Sequence, residues 1–304
     1  MLTTFLAIAP VFALILMGYG LRRGGIPSTE FWNLNDRLVY WVLMPALFFA
    51  KISAADLSGG LGDYAALLYA GFFTAIFCGW LFGRGSAAPQ ASSLLQGSAR
   101  FNTFIGLAIA EAVFGAAGLQ IAVLGSALLV PVVNVTVVTL MTRQLGGGGK
   151  SILLGLAKNP LILSICAGVL FNLAGLNEVP VLHEMARILG AAALPIMLLC
   201  VGANLKLRGL TGSVRIISFS LIGKFLINPA AVIIAALLIK ADPLTFQVAL
   251  IFAALPTGVA SYTLAREMRG DAPLMAAIIT TQTLISFATL PLTLLIGQTL
   301  LSIN

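Results

Sequence analysis

Apolar stretches long enough to cross a lipid bilayer follow one another along almost the whole of this chain. A segment in lipid must satisfy its own backbone groups, and a helix of about 20 apolar residues does so across a hydrocarbon core of about 30 Å. Such runs fall near residues 4–21, 35–49, 64–82, 91–114 and 119–141, then near 152–173, 182–201, 214–239, 245–265 and 273–300. The second and seventh are the weakest, being short or interrupted by charge and proline. The pattern predicts an all-α polytopic membrane protein with ten transmembrane helices. Charged residues make up 9% of the chain, against roughly 25% in a soluble domain, so no separate aqueous domain is expected.

The ten runs divide into two similar sets. Pro10, Gly18 and Gly25 recur as Pro160, Gly168 and Gly175, and Pro45 recurs as Pro195. Further on, RFNTFIGLAIAEAVFG (100–115) lines up with LPTGVASYTLAREMRG (255–270), about five residues out of the earlier register. Repeats of this kind, each with a Gly/Pro-broken segment in the same place, point to the binding site of a secondary transporter. An odd number of spans per set makes the second repeat inverted relative to the first. The expected organisation is a first five-helix repeat over 1–145, a glycine-rich linker at 146–150 and a second, inverted repeat over 151–304.

Basic residues test that count. Arg22, Arg23, Arg37, Arg84, Arg143, Lys150, Lys158, Lys206, Arg208, Arg215, Arg266 and Arg269 fall on one side of a ten-span arrangement, and only Lys51, Arg187 and Lys240 on the other. The positive-inside rule makes the crowded side cytoplasmic and both termini non-cytoplasmic. The net charge of +7 is therefore a topology signal at the ends of spans and implies no nucleic-acid partner. Cys78, Cys166 and Cys200 sit inside apolar runs without metal-ligand spacing and read as small buried side chains. The first run starts almost at Met1 without a basic region before it, so no cleavable signal peptide is expected.

The fourth span carries Arg100, Asn102, Thr103, Gly106 and Glu111, a costly set for a helix facing lipid. A helix starting near Ala91 places Arg100 roughly 14 Å deep, facing a polar cavity; a later start lets it snorkel to the interface. The matching part of the ninth span is Leu255-Pro256-Thr257-Gly258, followed by Ser261 and Tyr262. Pro256 removes an intrahelical hydrogen bond, and a break there exposes the start of a half-helix whose N–H groups favour an anion. Lys224 and Asn228 lie one turn apart in the eighth span; Lys224 either attracts an anion or snorkels. Asn134 and Thr136 follow Pro131 in the fifth span, and the tenth holds Thr280, Thr281, Gln282, Thr283 and Ser286. Hydroxyls of this kind commonly bond back to their own helix. Asn134, Asn228 and Gln282 are the stronger site candidates, because an amide is not fully satisfied that way. Glu111 is the one candidate for coupling to sodium or protons. The sole histidine, His183, reads as a solvated interfacial side chain. No catalytic set, metal cluster or cofactor motif is visible, so no enzyme activity and no cofactor are expected.

IAPVFALILMGYGLRRGGI, WVLMPALFF, RFNTFIGLAIAEAVFG, VPVVNV, KFLINP and LPTGVASYTLAREMRGD together resemble bacterial members of the auxin efflux carrier family, over essentially the whole chain. The resemblance implies two inverted five-helix repeats in a fold like that of sodium/proton antiporters and bile acid symporters. It implies that helices four and nine are broken and cross near the midplane, beside a substrate pocket. Carried onto this sequence, the crossover falls at Asn102 with its neighbours and at Pro256 and Thr257. Ala108 stands where family members can carry a proline, so a shallower interruption is expected in the fourth span. The resemblance also implies carboxylated organic anions as substrates, a likeness to auxin carriers without the long regulatory loop of the plant proteins, and a homodimer. Spans one, two, six and seven would form its scaffold and the remainder the moving core.

The sequence thus predicts a multi-pass carrier of the plasma (bacterial inner) membrane, moving a small organic anion by alternating access. Asn102, Thr103, Pro256, Thr257, Ser261, Asn134, Asn228 and Gln282 would line its site, with Arg100 and Lys224 as charge partners. The alternative is a sodium- or proton-coupled symporter or antiporter whose main cargo is the cation. A non-transporting membrane sensor or subunit has no need of two broken helices.

Overall fold

The computed structural model describes residues 2–55, 60–145, 158–206 and 213–303, and all of its regular structure there is helical. The order is α1 (Leu2–Arg23), α2 (Thr29–Leu38), a π-helical turn (Val39–Leu43), α3 (Met44–Ser53), α4 (Leu61–Phe82), α5 (Ala88–Ala99) and α6 (Thr103–Leu145). Then come α7 (Pro160–Leu173), α8 (Leu182–Ala203), α9 (Val214–Ile222), a second π turn (Gly223–Ile227), α10 (Asn228–Ile239), α11 (Pro243–Ala254), α12 (Ala260–Glu267) and α13 (Ala272–Ile303). Six stretches among the described residues are long and apolar enough to cross a membrane: Thr4–Arg23, Leu61–Phe82, Ala88–Leu145, Leu182–Ala203, Val214–Ile239 and Ala272–Leu301. Pro160–Leu173 and Pro243–Ala254 are apolar but shorter. The chain is a polytopic membrane protein. The glycine linker, Asp56, Lys150 and Arg208 lie outside the described residues.

The helices pack in two groups. In one, α1 lies along α8, and α3 lies along α7 and α8. The α1–α8 approach is close because two glycines allow it: Gly18 abuts the backbone of Leu199, and Gly202 that of Ile15. Gly168 plays the same part between α7 and α3, where an added Cβ would stand 3.0 Å from Ile52 and 3.4 Å from the Phe49 carbonyl. Polar side chains close both pairs at their ends. Arg22 Nη1 donates to Asn204 Oδ1 (3.2 Å), and Asn172 Nδ2 donates to the carbonyls of Ser53 (2.9 Å) and Ala55 (2.7 Å).

The second group comprises α4, α5 and α9–α13, with α6 running between the two groups. Its centre is formed by α5 and α11. Every residue from Ala91 to Ala99 is buried, and so is every residue from Phe246 to Thr257. At 12 residues each these helices are about 18 Å long, too short to cross a bilayer alone.

His183 is held rather than solvated. Its Nε2 lies 3.0 Å from Ser53 Oγ, its Nδ1 accepts from the Val179 N–H (2.9 Å), and its ring packs beside Phe49 and Phe171. Cys200 is buried and Cys78 half-buried, but Cys166 is exposed on α7, which corrects the expectation that all three are buried.

Candidate functional site

The segments expected as the fourth and ninth spans both break. In the fourth, α5 ends at Ala99, Arg100 turns extended (φ −71°, ψ 152°), and a new helix starts at Thr103. No proline causes this. Asn102 does, by capping α6: its Oδ1 accepts from the N–H groups of Phe104 (3.1 Å) and Ile105 (3.3 Å). The shallower interruption expected in the absence of a proline is therefore not observed. The first arm of α6 then ends at Gly115, whose φ of 64° and ψ of −154° bend the helix. In the ninth span, Pro256 disfavours helical geometry at the residue before it, and Leu255 is extended (φ −67°, ψ 142°). The chain resumes as α12 at Ala260.

The two breaks meet. The Asn102 N–H donates to the Pro256 carbonyl at 2.7 Å. Gly258 lies so close to the other strand that an added Cβ would stand 2.8 Å from the Phe101 carbonyl. A second set of bonds fixes the ninth-span break to its neighbours. Gln282 Oε1 accepts from Thr257 N (2.8 Å) and Thr257 Oγ1 (2.7 Å), while Gln282 Nε2 donates to the carbonyls of Gly97 (2.8 Å) and Ser220 (3.4 Å). Thr257 Oγ1 also lies 3.1 Å from the Gly97 carbonyl. Both side chains are fully buried. Gln282 and Thr257 thus tie α5, α9, α13 and the break together.

Other predicted residues lie in the elements that meet at this junction, several with a polar atom that has no partner among the described residues. Asn102 is 2% exposed, and among the described residues its Nδ2 donates no hydrogen bond. Lys224 sits in the second π turn with no exposed surface and, among the described residues, no partner for Nζ, so it does not snorkel to the surface. Arg100 is half-buried, with Nη1 enclosed and unbonded among the described residues. Since α5 starts at Ala88, Arg100 lies at the far end of a full half-helix and not at its entrance. Ser261 is buried with an unbonded hydroxyl, and Thr103 is half-buried. Asn228 lines a cleft with Phe72, Ala99, Phe101, Phe252 and Ala253, in roughly the room of one water molecule. Its Oδ1 is packed onto Gly71, where any side chain would collide with it.

Two predicted residues stand apart. Glu111 is exposed, nine positions beyond Asn102 along α6, or about 13 Å. Asn134 is half-buried in the second arm of α6 and forms no side-chain hydrogen bond among the described residues. Thr283 and Ser286 bond back to the Ile279 and Thr283 carbonyls, both at 2.8 Å, as expected of such hydroxyls.

Gln96 and Ser98 are the residues that the sequence reading missed. Both are fully buried on α5, and among the described residues neither the Gln96 amide nor the Ser98 hydroxyl has a partner. The signal was the polar run Ser92-Ser93 to Gln96-Gly97-Ser98, which leads directly into Arg100. A helix so polar within a membrane domain must be enclosed by protein.

Comparison with known proteins decides the family. A family model described as "Membrane transport protein" matches residues 3–151 and 141–294, nearly the whole chain. The chain belongs to the membrane transport protein family. This is the auxin efflux carrier family that its motifs resemble. Relatives include an "Uncharacterized transporter" of Methanothermobacter thermautotrophicus, 27% identical over 291 residues, or 93% of this chain and 94% of the relative. A "Putative malonate transporter" of Rhizobium meliloti is 29% identical over 304 residues, covering 93% of this chain and 92% of its own.

Proposed function

We propose that this membrane transporter carries small carboxylate anions by alternating access, binding them where the two broken helices meet. The observation that carries the proposal is the junction itself. Two helix N-termini, those of α6 and α12, begin beside the Asn102–Pro256 hydrogen bond, and such termini favour negative charge. Lys224 Nζ and Arg100 Nη1 are enclosed and, among the described residues, have no acidic partner, an arrangement that an incoming anion would complete.

In this reading, the free Nδ2 of Asn102, the amide of Asn228 and the hydroxyls of Thr103 and Ser261 face the carboxylate. Pro256, Thr257 and Gln282 hold the junction in shape. Asn134 and Glu111 contribute from further along α6, Glu111 as the group for ion coupling. The narrow cleft at Asn228 implies that the helix groups shift before a substrate enters, with α1–α3, α7 and α8 as the scaffold.

We further infer ten spans in two inverted repeats. The close contacts support this: Gly18 on Leu199 and Gly168 on Phe49 are the same contact displaced by one repeat. The basic-residue bias supports an orientation with both termini non-cytoplasmic in the inner membrane, and we assign the homodimer surface to the scaffold. Malonate, named for the Rhizobium meliloti relative, is the first substrate to test. Counterflow of labelled malonate in proteoliposomes checks the proposal, with other mono- and dicarboxylates as competitors. Accumulation that no carboxylate competes, or none for any carboxylate tried, would sink it.

A further inference from the structure

At one end of the bundle, two arginines lie on aromatic rings instead of carboxylates. Arg84, just past α4, places its Cζ 3.9 Å from the centroid of the Trp80 ring. Arg215, in the first turn of α9, places its Cζ 5.5 Å from that of Phe219. Between them the rings of Phe82 and Phe219 stack at 4.9 Å with 20° between their planes, clamping the end of α4 to the start of α9. The chain reaches this end along α4 and leaves it along α9, so both arginines stand on the same rim, beside one stack.

Both side chains are exposed, and among the described residues neither guanidinium donates a hydrogen bond or pairs with an acid. A guanidinium lying on a ring keeps its in-plane N–H groups directed outward, in the fork geometry that suits phosphate oxygens. Asp271, just before α13, is engaged elsewhere: its Oδ1 accepts from Leu274 N (3.0 Å). Away from the rim the surface is apolar, with Phe77, Trp80 and Leu81 exposed on α4 and Ile222 and Leu226 exposed after Phe219.

We infer that Arg84 and Arg215 form a binding site for the phosphate headgroup of an anionic phospholipid, whose acyl chains lie along the exposed apolar faces of α4 and α9. Charge decides the headgroup. Two cations without a counter-ion attract an anionic lipid, whereas the choline of a zwitterionic one brings its own positive charge against them. The apolar surface beside the rim decides for a lipid over a free anion. This inference does not rest on the transport reading.

Native mass spectrometry and thermal shift of the full chain in detergent test it, with phosphatidylglycerol, phosphatidylcholine and inorganic phosphate as probes. The wild type should retain phosphatidylglycerol over phosphatidylcholine at least about fivefold. The Arg84→Gln/Arg215→Gln double variant should show no preference, and each single variant should lose more than half of it. Arg143→Gln, which removes an exposed arginine at the end of α6, should behave as wild type. A double variant that keeps the preference, or a wild type that has none, would overturn the site. Equal stabilisation by inorganic phosphate would make it a free-anion site and overturn the lipid assignment. Since both side chains are exposed, the variants should match wild-type stability in lipid-free detergent; if the double variant does not fold, the single variants decide.

Discussion

The backbone N–H of Asn102 donates to the carbonyl of Pro256 at 2.7 Å, joining breaks that lie in opposite halves of the chain. The same residue caps α6 through its side-chain oxygen, while its side-chain nitrogen donates to no described residue. One asparagine therefore ends a break, fastens it to its counterpart and presents a donor at the junction.

These roles separate by substitution. Asn102→Asp keeps an oxygen for the cap but removes the Nδ2 donor and adds a negative charge at the anion site. It should fold with near wild-type stability and bind no carboxylate. Asn102→Ala loses both, and should cost about 1 kcal/mol of stability as well. Thermal melting alongside ligand titration distinguishes the two; tight carboxylate binding by Asn102→Asp would exclude the amide from the site.

Gln282 is a structural clasp. Gln282→Ala leaves the Thr257 N–H and the Gly97 carbonyl without their bonds to it in a fully buried place, and each such group costs about 1–3 kcal/mol. A loss of roughly 3 kcal/mol or more is expected, read by unfolding in detergent. A variant as stable as the wild type would mean that water or a neighbour replaces these bonds.

Lys224 should show the opposite trade. An enclosed amine without a partner destabilises the empty protein, so Lys224→Met, similar in length and apolar, should be as stable as the wild type or more so by about 1–4 kcal/mol. Carboxylate binding should fall at least tenfold. A Lys224→Met protein that is less stable and still binds would show that the amine has a structural partner and no anion role.

Gly258→Ala tests the close approach of the breaks. Its Cβ would stand 2.8 Å from the Phe101 carbonyl, which is backbone and has little freedom to move. The strands should separate, costing about 1–3 kcal/mol and stopping counterflow. Normal transport by this variant would mean that the breaks need not touch.

Much of this was legible in the sequence. Pro256 announces its break by chemistry, because the residue before a proline avoids helical geometry. The polar residues of the fourth span marked the other break correctly, yet its depth was underestimated. A search for proline overlooks an asparagine cap, whose effect depends on which N–H groups follow it in space. Lys224 read as either attracting an anion or snorkelling because its depth depends on the tertiary packing of helices around the second π turn. Gln96 and Ser98 went unnoticed for a related reason. Their burial follows from α5 being enclosed on every side, a tertiary fact that no helical period records.

The most direct test of the central claim is a thermal-shift titration of the purified protein with malonate and other small carboxylates, with and without sodium, in the wild type and in Asn102→Asp. A ligand that binds only the folded state raises stability as its concentration passes its dissociation constant. The account predicts a saturable rise with at least one carboxylate, without sodium, that disappears in Asn102→Asp. A rise with sodium alone, or a carboxylate rise unchanged in the variant, would contradict it.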